Sequence, residues 1–385
     1  MKKVLFIQLI GNSYGGVWQV IKMVGEQLIK EGYEVSIVSL RENHINIKLD
    51  HDPKLKLYTI NKKDIWENNY TGREIIKDLN DFHLINFMKK IFIRLKHEIS
   101  IRKDTKKLQQ YICEYNPDYL ITAHYQLIDM IPKAYLDRTI HQQHLAFRET
   151  INHKATKRVF DKYKDKIKFL WLTKQTMLDA VDYGITDSYY IYNAVRFKTD
   201  KIADVINNNK LITIARLSPE KRIDLMVDIV EEIFKDKRFK NWTLEIFGNG
   251  TEESLIKKHI KNYKQIKLMG VTNNPKKELL SSSINLNTSS YEGFSLSILE
   301  ANECGVPTLS LDFGESVHEQ ILNNQTGIIV ESKEDYINKL KELMLDEKKL
   351  LQLSKNVKEF SNNFHIEKII DKWLDLFNEL DKQYY

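Results

Sequence analysis

The sequence lacks the features that mark secreted, membrane-spanning or disulfide-bonded proteins. Its 385 residues include only two cysteines, Cys113 and Cys304, which are too few and too isolated for a disulfide framework or a zinc site. No run of about 18 apolar residues exists, and no small-residue cleavage site follows the apolar N-terminal stretch. These absences predict a cytoplasmic protein with neither a spanning helix nor a signal peptide.

Two classes of ligand are also disfavoured by what is missing. The formal net charge of +6 is modest for this length, and neither a nucleic-acid-binding module nor interleaved aromatic and basic residues are present. The Gly-x-Gly-x-x-Gly dinucleotide fingerprint is absent as well. We therefore expect no nucleic-acid partner and no nicotinamide cofactor.

The length and the order of apolar segments predict two α/β domains. One hydrophobic core seldom serves more than about 250–300 residues, and this chain has 385. Val4–Ile10 predicts a buried strand, followed by a glycine turn, a helix and a second strand at Val35–Leu40. The same order begins again at Leu211, after a polar linker near Arg196–Asn209. Such βαβ units form doubly wound sheets, which bind ligands beyond the carboxyl ends of their strands.

The stretch Ser289–Pro307 joins a predicted strand to a predicted helix through a glycine-containing turn. Backbone N–H groups and the positive end of a helix that begins near Ser295 would meet at this turn, which suits a phosphate. Glu292 lies on the turn and Glu300 on the helix. Because ionised carboxylates only accept hydrogen bonds, we interpret both as partners of neutral hydroxyls on a ribose or a hexose.

Arg216 and Lys221 lie five residues apart across the turn that follows the strand at Leu211. Across such a turn the two cations could converge on one diphosphate, the arginine by its planar fork and the lysine as a point charge. Solvation is the alternative, because arginine and lysine on loops are usually solvated.

The Ser289–Pro307 stretch resembles the Glu-x7-Glu signature of retaining GT-B glycosyltransferases of family 4, with Glu292 and Glu300 as the two glutamates. The resemblance implies an α/β GT-B fold, in which two Rossmann-like doubly wound domains face an interdomain cleft. It implies an acceptor-binding domain over 1–196 and a nucleotide-sugar-binding domain over 197–365. A C-terminal helix over 366–385 would cross back to the first domain.

The resemblance also implies which residues form the site. In the family, the residues matching Arg216 and Lys221 hold the donor diphosphate, and the two glutamates bind ribose and hexose hydroxyls. The catalytic residues so implied are His141, Arg216, Lys221 and Glu292. The donor-binding residues so implied are Gly15, Gly16, Arg216, Lys221, Val271, Glu292, Gly293, Phe294, Ser295, Leu296 and Glu300.

Three histidines compete for the place beside the donor hexose. His141 matches the family's strand-end histidine, but His144 is close enough to replace it, and His124 ends another predicted strand. A hydrogen-bonded structural role for His141 is the remaining alternative. As a metal site the His-x-x-His spacing is weak because no third ligand lies nearby. Asp50-His51-Asp52 has the spacing of a metal-chelating pair, but it lies in a charged, loop-like stretch, so we expect neither a metal nor a cofactor.

The expected function is transfer of a hexose or N-acetylhexosamine from a nucleotide sugar, which the resemblance implies proceeds with retention. We expect a UDP-linked donor and a cell-surface glycan or lipid-linked glycan acceptor, such as a capsular or exopolysaccharide unit or teichoic acid. Two alternatives stay open: another GT-B nucleotide-sugar enzyme of the phosphorylase or epimerase type, and a non-catalytic partner subunit.

A basic amphipathic segment over 84–107 predicts a peripheral contact with an anionic membrane. Its apolar face consists of Leu84, Met88, Ile91, Leu95 and Ile99, and lysine and arginine residues surround that face. The alternative is that this apolar face packs in the core of the first domain.

Overall fold

The structure is a computed structural model that describes residues 1–11, 16–42, 51–61 and 84–384. The chain divides into two units, described separately here. The first comprises Met1–Gln143, His153–Leu170 and Gly184–Ser188. The second comprises His144–Asn152, Trp171–Tyr183 and Tyr189–Tyr385.

This division differs from the predicted boundary at residue 196, since three stretches before it, His144–Asn152, Trp171–Tyr183 and the residues from Tyr189 to Arg196, belong to the second unit. Hydrogen bonds explain the grouping of one segment, because the backbone N–H groups of Lys174 and Gln175 donate to the Glu319 carboxylate at 3.1 Å each. The predicted domain boundaries and the predicted interdomain cleft stay predictions.

The first unit is built on a seven-stranded sheet with the order β3-β2-β1-β4-β5-β6-β7. Its strands are β1 (Lys3–Gly11), β2 (Glu34–Glu42), β3 (Lys56–Asn61), β4 (Tyr119–Thr122), β5 (Thr139–Gln142), β6 (Lys168–Trp171) and β7 (Ser188–Tyr190). The α-helices described in this half of the chain are α1 (Gly16–Lys30), α2 (Leu84–Tyr115), α3 (Tyr125–Ile128), α4 (Phe147–Asn152), α5 (Lys154–Tyr163) and α6 (Lys174–Asp182). Of these, α4 and α6 belong to the second unit.

The second unit is built on a six-stranded sheet with the order β10-β9-β8-β11-β12-β13. Its strands are β8 (Lys210–Ile214), β9 (Thr243–Phe247), β10 (Ile266–Gly270), β11 (Ile284–Asn287), β12 (Thr308–Leu311) and β13 (Gly327–Val330). Its remaining helices are α7 (Ile223–Phe234), α8 (Glu253–His259), α9 (Pro275–Leu280), α10 (Leu296–Glu303), α11 (Glu315–Gln320), α12 (Lys333–Leu345), α13 (Glu347–Ser361) and α14 (Ile366–Tyr384).

The apolar pattern of the sequence explains why these strands form parallel sheets. Val4–Ile7 of β1 is completely buried, as a strand covered on both faces requires, and β1 pairs in parallel with β2 and β4. In the second sheet, β8 pairs in parallel with β9 and β11. The predicted α/β class with two doubly wound domains is confirmed.

The strand order of the second sheet shows where its ligand crevice lies. β8 is its first strand along the chain and β11 its fourth, yet the two are neighbours. The chain direction across the sheet therefore reverses between them, which is the switch point where such sheets bind ligands at their carboxyl ends.

Candidate donor site

The turn after β8 and the loop after β11 are joined by hydrogen bonds at the switch point. The Thr288 hydroxyl donates to the carbonyls of Lys221 and Arg222 at 3.0 Å each. The Ser290 N–H donates to the Glu220 carbonyl at 2.8 Å. These bonds place the two segments that carry the predicted site residues beside each other.

A glycine directly after the neighbouring strand β9 lies against the turn that follows β8. The Ala215 N–H donates to the Phe247 carbonyl at 3.0 Å, and a Cβ on Gly248 would overlap the Ala215 carbonyl oxygen. Gly248 also has φ +143°, a conformation that side chains rarely permit. Only glycine therefore allows the two backbones to approach this closely.

Lys221 and Glu292 form an ion pair at the carboxyl ends of β8 and β11. The Lys221 Nζ lies 2.9 Å from Glu292 Oε2, and both side chains are mostly buried. Asn287 and Ser289 donate to Glu292 Oε1 at 3.1 and 2.7 Å. The first of the two predicted glutamates is thus fixed in position beside the predicted diphosphate lysine.

The Glu292 carboxyl is held in its ionised form. Burial opposes ionisation, but Lys221 and the hydrogen bonds from Ser289 and Asn287 outweigh it, so the pKa of Glu292 lies below its ordinary value. At neutral pH the negative Glu292 carboxylate and the positive Lys221 ammonium therefore lie side by side. The carboxylate can accept hydrogen bonds from hydroxyls, and the ammonium can bind a phosphate.

Arg216 is largely exposed and makes only a surface ion pair. Its side chain is 73% exposed, and its Nη2 lies 3.3 Å from Glu220 Oε1. An exposed ion pair of this kind contributes little to stability, so the guanidinium is available to a diphosphate at small cost.

Glu300 is bound by an arginine that the sequence did not single out. Its side chain is 1% exposed, and Arg196 donates to both carboxylate oxygens, through Nε to Oε1 and through Nη2 to Oε2 at 2.8 Å. Such bidentate pairing uses about two of the carboxylate's four acceptor sites. Sequence reasoning treated Arg196 as part of a linker, and no local spacing signals its role.

Two predicted residues of the turn make contacts within the protein. The Ser295 N–H donates to Gln320 Oε1 at 2.9 Å, and Gln320 Nε2 returns a bond to the Ser295 carbonyl at 2.8 Å. Phe294 stacks on Tyr192 with ring centroids 5.2 Å apart. The Ser295 N–H is thus occupied rather than offered to a phosphate, and the Phe294 side chain packs in an apolar cluster.

Gly293 lies directly against the backbone of His144. A Cβ at this position would overlap the His144 carbonyl oxygen, so no other residue fits without movement of the loop before α4. His144 Nε2 is buried and, among the described residues, lacks a hydrogen-bond partner. Burial lowers the pKa of His144 to about 4, which keeps its ring neutral at pH 7.

His141, in contrast, is integrated into the core of the first unit. It is fully buried, its Nδ1 pairs with the Thr122 hydroxyl at 2.9 Å, and its Nε2 pairs with Gln143 Oε1 at 3.1 Å. Phe160 and Phe169 pack edge-on against the ring. Both ring nitrogens are thus engaged, which corresponds to the structural alternative and disfavours the predicted catalytic role.

The third candidate, His124, caps a short helix. Its Nδ1 accepts from the Gln126 N–H at 3.3 Å, and its ring stacks on Tyr125. Burial, with a smaller contribution from His153, lowers its pKa to about 4. His124 therefore has a local structural role in the first unit.

The remaining predicted residues lie at element ends. Gly16 begins α1, whereas Gly15 lies outside the described residues. Val271 follows β10 and is 49% exposed, so its side chain is available for packing against a ligand ring. Leu296 begins α10 and is partly buried against the Phe294 cluster.

Neither of two other surface features coincides with these residues. Asp228, Glu231 and His259 form a group whose potential metal ligands lie within 4.8 Å of one another, the one such group within the described residues. A surface cavity of about 650 Å³ is lined by Lys198, Lys276 and neighbouring residues. Of the Asp50–Asp52 pair, Asp50 lies outside the described residues.

The fold agrees with what comparison with known proteins shows. Residues 196–360 match the family described as glycosyl transferases group 1, and the whole chain superposes on GT-B glycosyltransferases. The chain therefore has the GT-B fold and is a glycosyltransferase, and residues 196–360 of its second unit are similar to the glycosyl transferases group 1 family.

Its similarity extends to particular proteins at low identity. An uncharacterized glycosyltransferase of Haemophilus influenzae is 24% identical over 97% of this chain and 99% of its own length. A poly(ribitol-phosphate) alpha-N-acetylglucosaminyltransferase of Staphylococcus aureus is 28% identical over 54% of this chain and 43% of its own length. A poly(glycerol-phosphate) alpha-glucosyltransferase of Bacillus subtilis is 24% identical over 83% and 49%. The match thus spans about half the length of the last two relatives.

A solved structure shows the same fold over nearly the whole chain. A TarM mutant of S. aureus, in complex with fondaparinux, alpha-GlcNAc-glycerol and UDP, superposes with a TM-score of 0.76 at 16% identity. The superposition covers 98% of this chain and 100% of TarM. Within the described parts of the chain, no helix combines the length and apolar character needed to cross a bilayer.

Proposed function

We propose that this chain transfers a hexose or N-acetylhexosamine from a UDP-linked sugar to a teichoic-acid or polysaccharide acceptor, with retention and without a metal. The observation that carries the proposal is the Lys221–Glu292 pair at the switch point of the second sheet. It provides a cation for a leaving diphosphate and a carboxylate for sugar hydroxyls at adjacent positions.

The chemistry requires that negative charge on the leaving UDP be neutralised as the anomeric bond breaks. Lys221 is held by its ion pair with Glu292. The exposed Arg216 side chain can leave Glu220 and bind the diphosphate. Such prepositioned charges act where charge develops and require little reorganisation. Cationic side chains therefore take the role that a metal ion plays in other transferases.

The other residues complete the donor site. Glu300, oriented by Arg196, accepts hydrogen bonds from the ribose, and Val271 packs beside the base. His144 replaces His141 as the histidine beside the hexose, because its neutral Nε2 has no partner among the described residues and its backbone contacts Gly293.

The similar proteins support the acceptor class and the stereochemistry. Two relatives are named as alpha-transferases acting on poly(ribitol phosphate) or poly(glycerol phosphate), and the TarM structure contains UDP. Since UDP-hexoses of this kind are α-linked, an α-linked product means retention.

The test is a transfer assay with a panel of UDP- and GDP-sugars, polyol-phosphate and polysaccharide acceptors, and a chelator arm. We expect one UDP-sugar to glycosylate an acceptor with the anomeric configuration retained in the NMR spectrum and with the rate unchanged by EDTA. Inversion, or loss of activity with EDTA, would contradict the mechanism. Sugar phosphate formation or epimerisation without acceptor indicates the second enzyme class, and UDP binding without any turnover indicates a non-catalytic partner.

A further inference from the structure

Helix α2 carries a line of apolar side chains on its outer surface. Met88, Phe92, Leu95 and Ile99 are between 51% and 61% exposed. Their spacing of four, three and four residues places them on one face of the helix. Single exposed apolar residues are ordinary, but four in a row form a continuous apolar ridge.

The opposite face of α2 attaches the helix to the first unit. Asp104 is buried and pairs with Arg41, whose Nη2 lies 2.6 Å from its carboxylate. Leu108 and Ile112 are fully buried in the core of that unit. The side chains of Met88, Leu95 and Ile99, which the sequence also allowed to pack in the core, therefore point away from it, and that alternative is wrong for these three.

Basic residues continue and flank the apolar ridge. Arg102, Lys103 and Lys106 follow it on the same face of the helix, and all three are exposed. Lys89 and Lys96 lie along its side, and the Lys96 Nζ sits 4.3 Å from the centre of the Phe92 ring. The surface thus combines an apolar strip with a cluster of cations.

We propose that this face of α2 docks on an anionic lipid bilayer, with the apolar ridge in the acyl boundary and the cations on lipid headgroups. An anionic bilayer contacts both the apolar ridge and the cations. The free energies of apolar burial and of attraction to anionic lipid both contribute to binding in interfacial helices. A hydrophilic polyanion would use only the cations. A second copy of the chain would present the same positive charge to this surface. The inference stands on this surface alone and does not depend on the sugar-transfer chemistry.

The test is flotation of the full chain with vesicles of phosphatidylcholine, with and without phosphatidylglycerol. Three variants accompany the wild type: Phe92→Ser with Leu95→Ser, the triple change Arg102→Glu, Lys103→Glu and Lys106→Glu, and a control. The control replaces two exposed leucines elsewhere, Leu255→Ser with Leu351→Ser. Far-UV circular dichroism and urea unfolding of each variant verify that it is folded.

We expect the wild type and the control to float with phosphatidylglycerol vesicles and to bind phosphatidylcholine alone much less. The apolar variant loses about tenfold in partitioning and the charge-reversal variant about a hundredfold or more, with added salt weakening what remains. Failure of the wild type to bind anionic vesicles would overturn the proposal, and so would wild-type binding by the Phe92/Leu95 variant.

Two further outcomes would also overturn it in favour of another partner. Binding to soluble poly(glycerol phosphate) that is lost only by the charge-reversal variant, without vesicle binding, indicates a polyanion. A wild-type dimer that the Phe92/Leu95 variant converts to a monomer, again without vesicle binding, indicates a second copy.

Discussion

The two nearby histidines, His141 and His144, have opposite surroundings, and their replacement should have opposite effects. His144→Ala removes an imidazole that is unpartnered among the described residues. We therefore expect about a tenfold fall in kcat, the worth of one hydrogen bond to substrate, with unchanged stability.

His141→Ala removes two buried hydrogen bonds and leaves a cavity, so we expect a loss of about 2–4 kcal/mol in the free energy of unfolding.

The comparison is made by steady-state transfer assays and urea unfolding on both variants. His144→Gln is the conservative control, because an amide can restore the hydrogen bond to a sugar hydroxyl. A kinetic defect confined to the His141 variant, with His144→Ala behaving as wild type, would return the role to His141.

At the scale of single residues, the sequence predicts contacts that depend on strand ends and misses those that depend on packing. Lys221 and Glu292 both follow strands of one sheet, so their proximity follows from the α/β pattern. Arg196 could not be predicted as the partner of Glu300, since 104 residues separate them and no periodicity relates the two. The burial of His141 likewise depends on Phe160 of helix α5 and Phe169 of the neighbouring strand β6, which pack against its ring.

At the scale of elements, a buried carboxylate joins α10 to the C-terminal helices. Glu303 on α10 is 1% exposed and accepts from Lys358 and His365 at 2.8 Å each and from the Thr199 N–H at 2.8 Å. Ser361 adds a fourth bond at 2.9 Å. Burial opposes ionisation, but these donors, led by Lys358 and His365, lower the pKa of Glu303.

Glu303→Gln should therefore destabilise the protein by about 3 kcal/mol, because it leaves the Lys358 charge without its partner. Glu342→Gln is the control, since Glu342 is 39% exposed and its ion pairs with Lys339 and Lys349 are worth about 1 kcal/mol or less. Urea unfolding at pH 7 measures both, and equal small losses would contradict the structural role of Glu303.

The stabilisation that Glu303 provides depends on pH. A carboxyl with a lowered pKa in the folded state stabilises fully above its unfolded pKa of about 4.3, and the contribution is lost as the pH falls through the folded value. The difference between wild type and Glu303→Gln should thus shrink as the pH falls below that point.

The elements themselves were largely predictable, and the exceptions have physical reasons. The strand predicted at Val4–Ile10 and the helix predicted to begin near Ser295 agree within one residue with β1 (Lys3–Gly11) and the start of α10 (Leu296), because turn residues and apolar periodicity mark them. Helix α2 extends to Tyr115, well beyond the predicted amphipathic segment, because its buried face changes from polar to apolar residues along its length. The sequence alone does not decide which face of α2 is exposed. An amphipathic helix can pack its apolar face in the core, or it can pack another face there and leave the apolar residues on the surface.

At the scale of the whole molecule, the proposed nucleotide site lies in the second unit. The switch point of its sheet lies between β8 and β11. Lys221 and Glu292, the residues predicted to bind the diphosphate and the sugar, form an ion pair there. The acceptor preference, in contrast, could not be read from the sequence, because no motif of the first unit specifies a polymer.

The central claim is that a nucleoside diphosphate binds at the carboxyl ends of β8 and β11, and calorimetric titration of UDP tests it most directly. We expect saturable binding by the wild type, at least tenfold weaker binding by Lys221→Ala, and unchanged binding by Lys257→Ala, which removes an exposed lysine that is also paired with a glutamate. Equal UDP affinities for all three proteins, or no UDP binding by the folded wild type, would contradict the account.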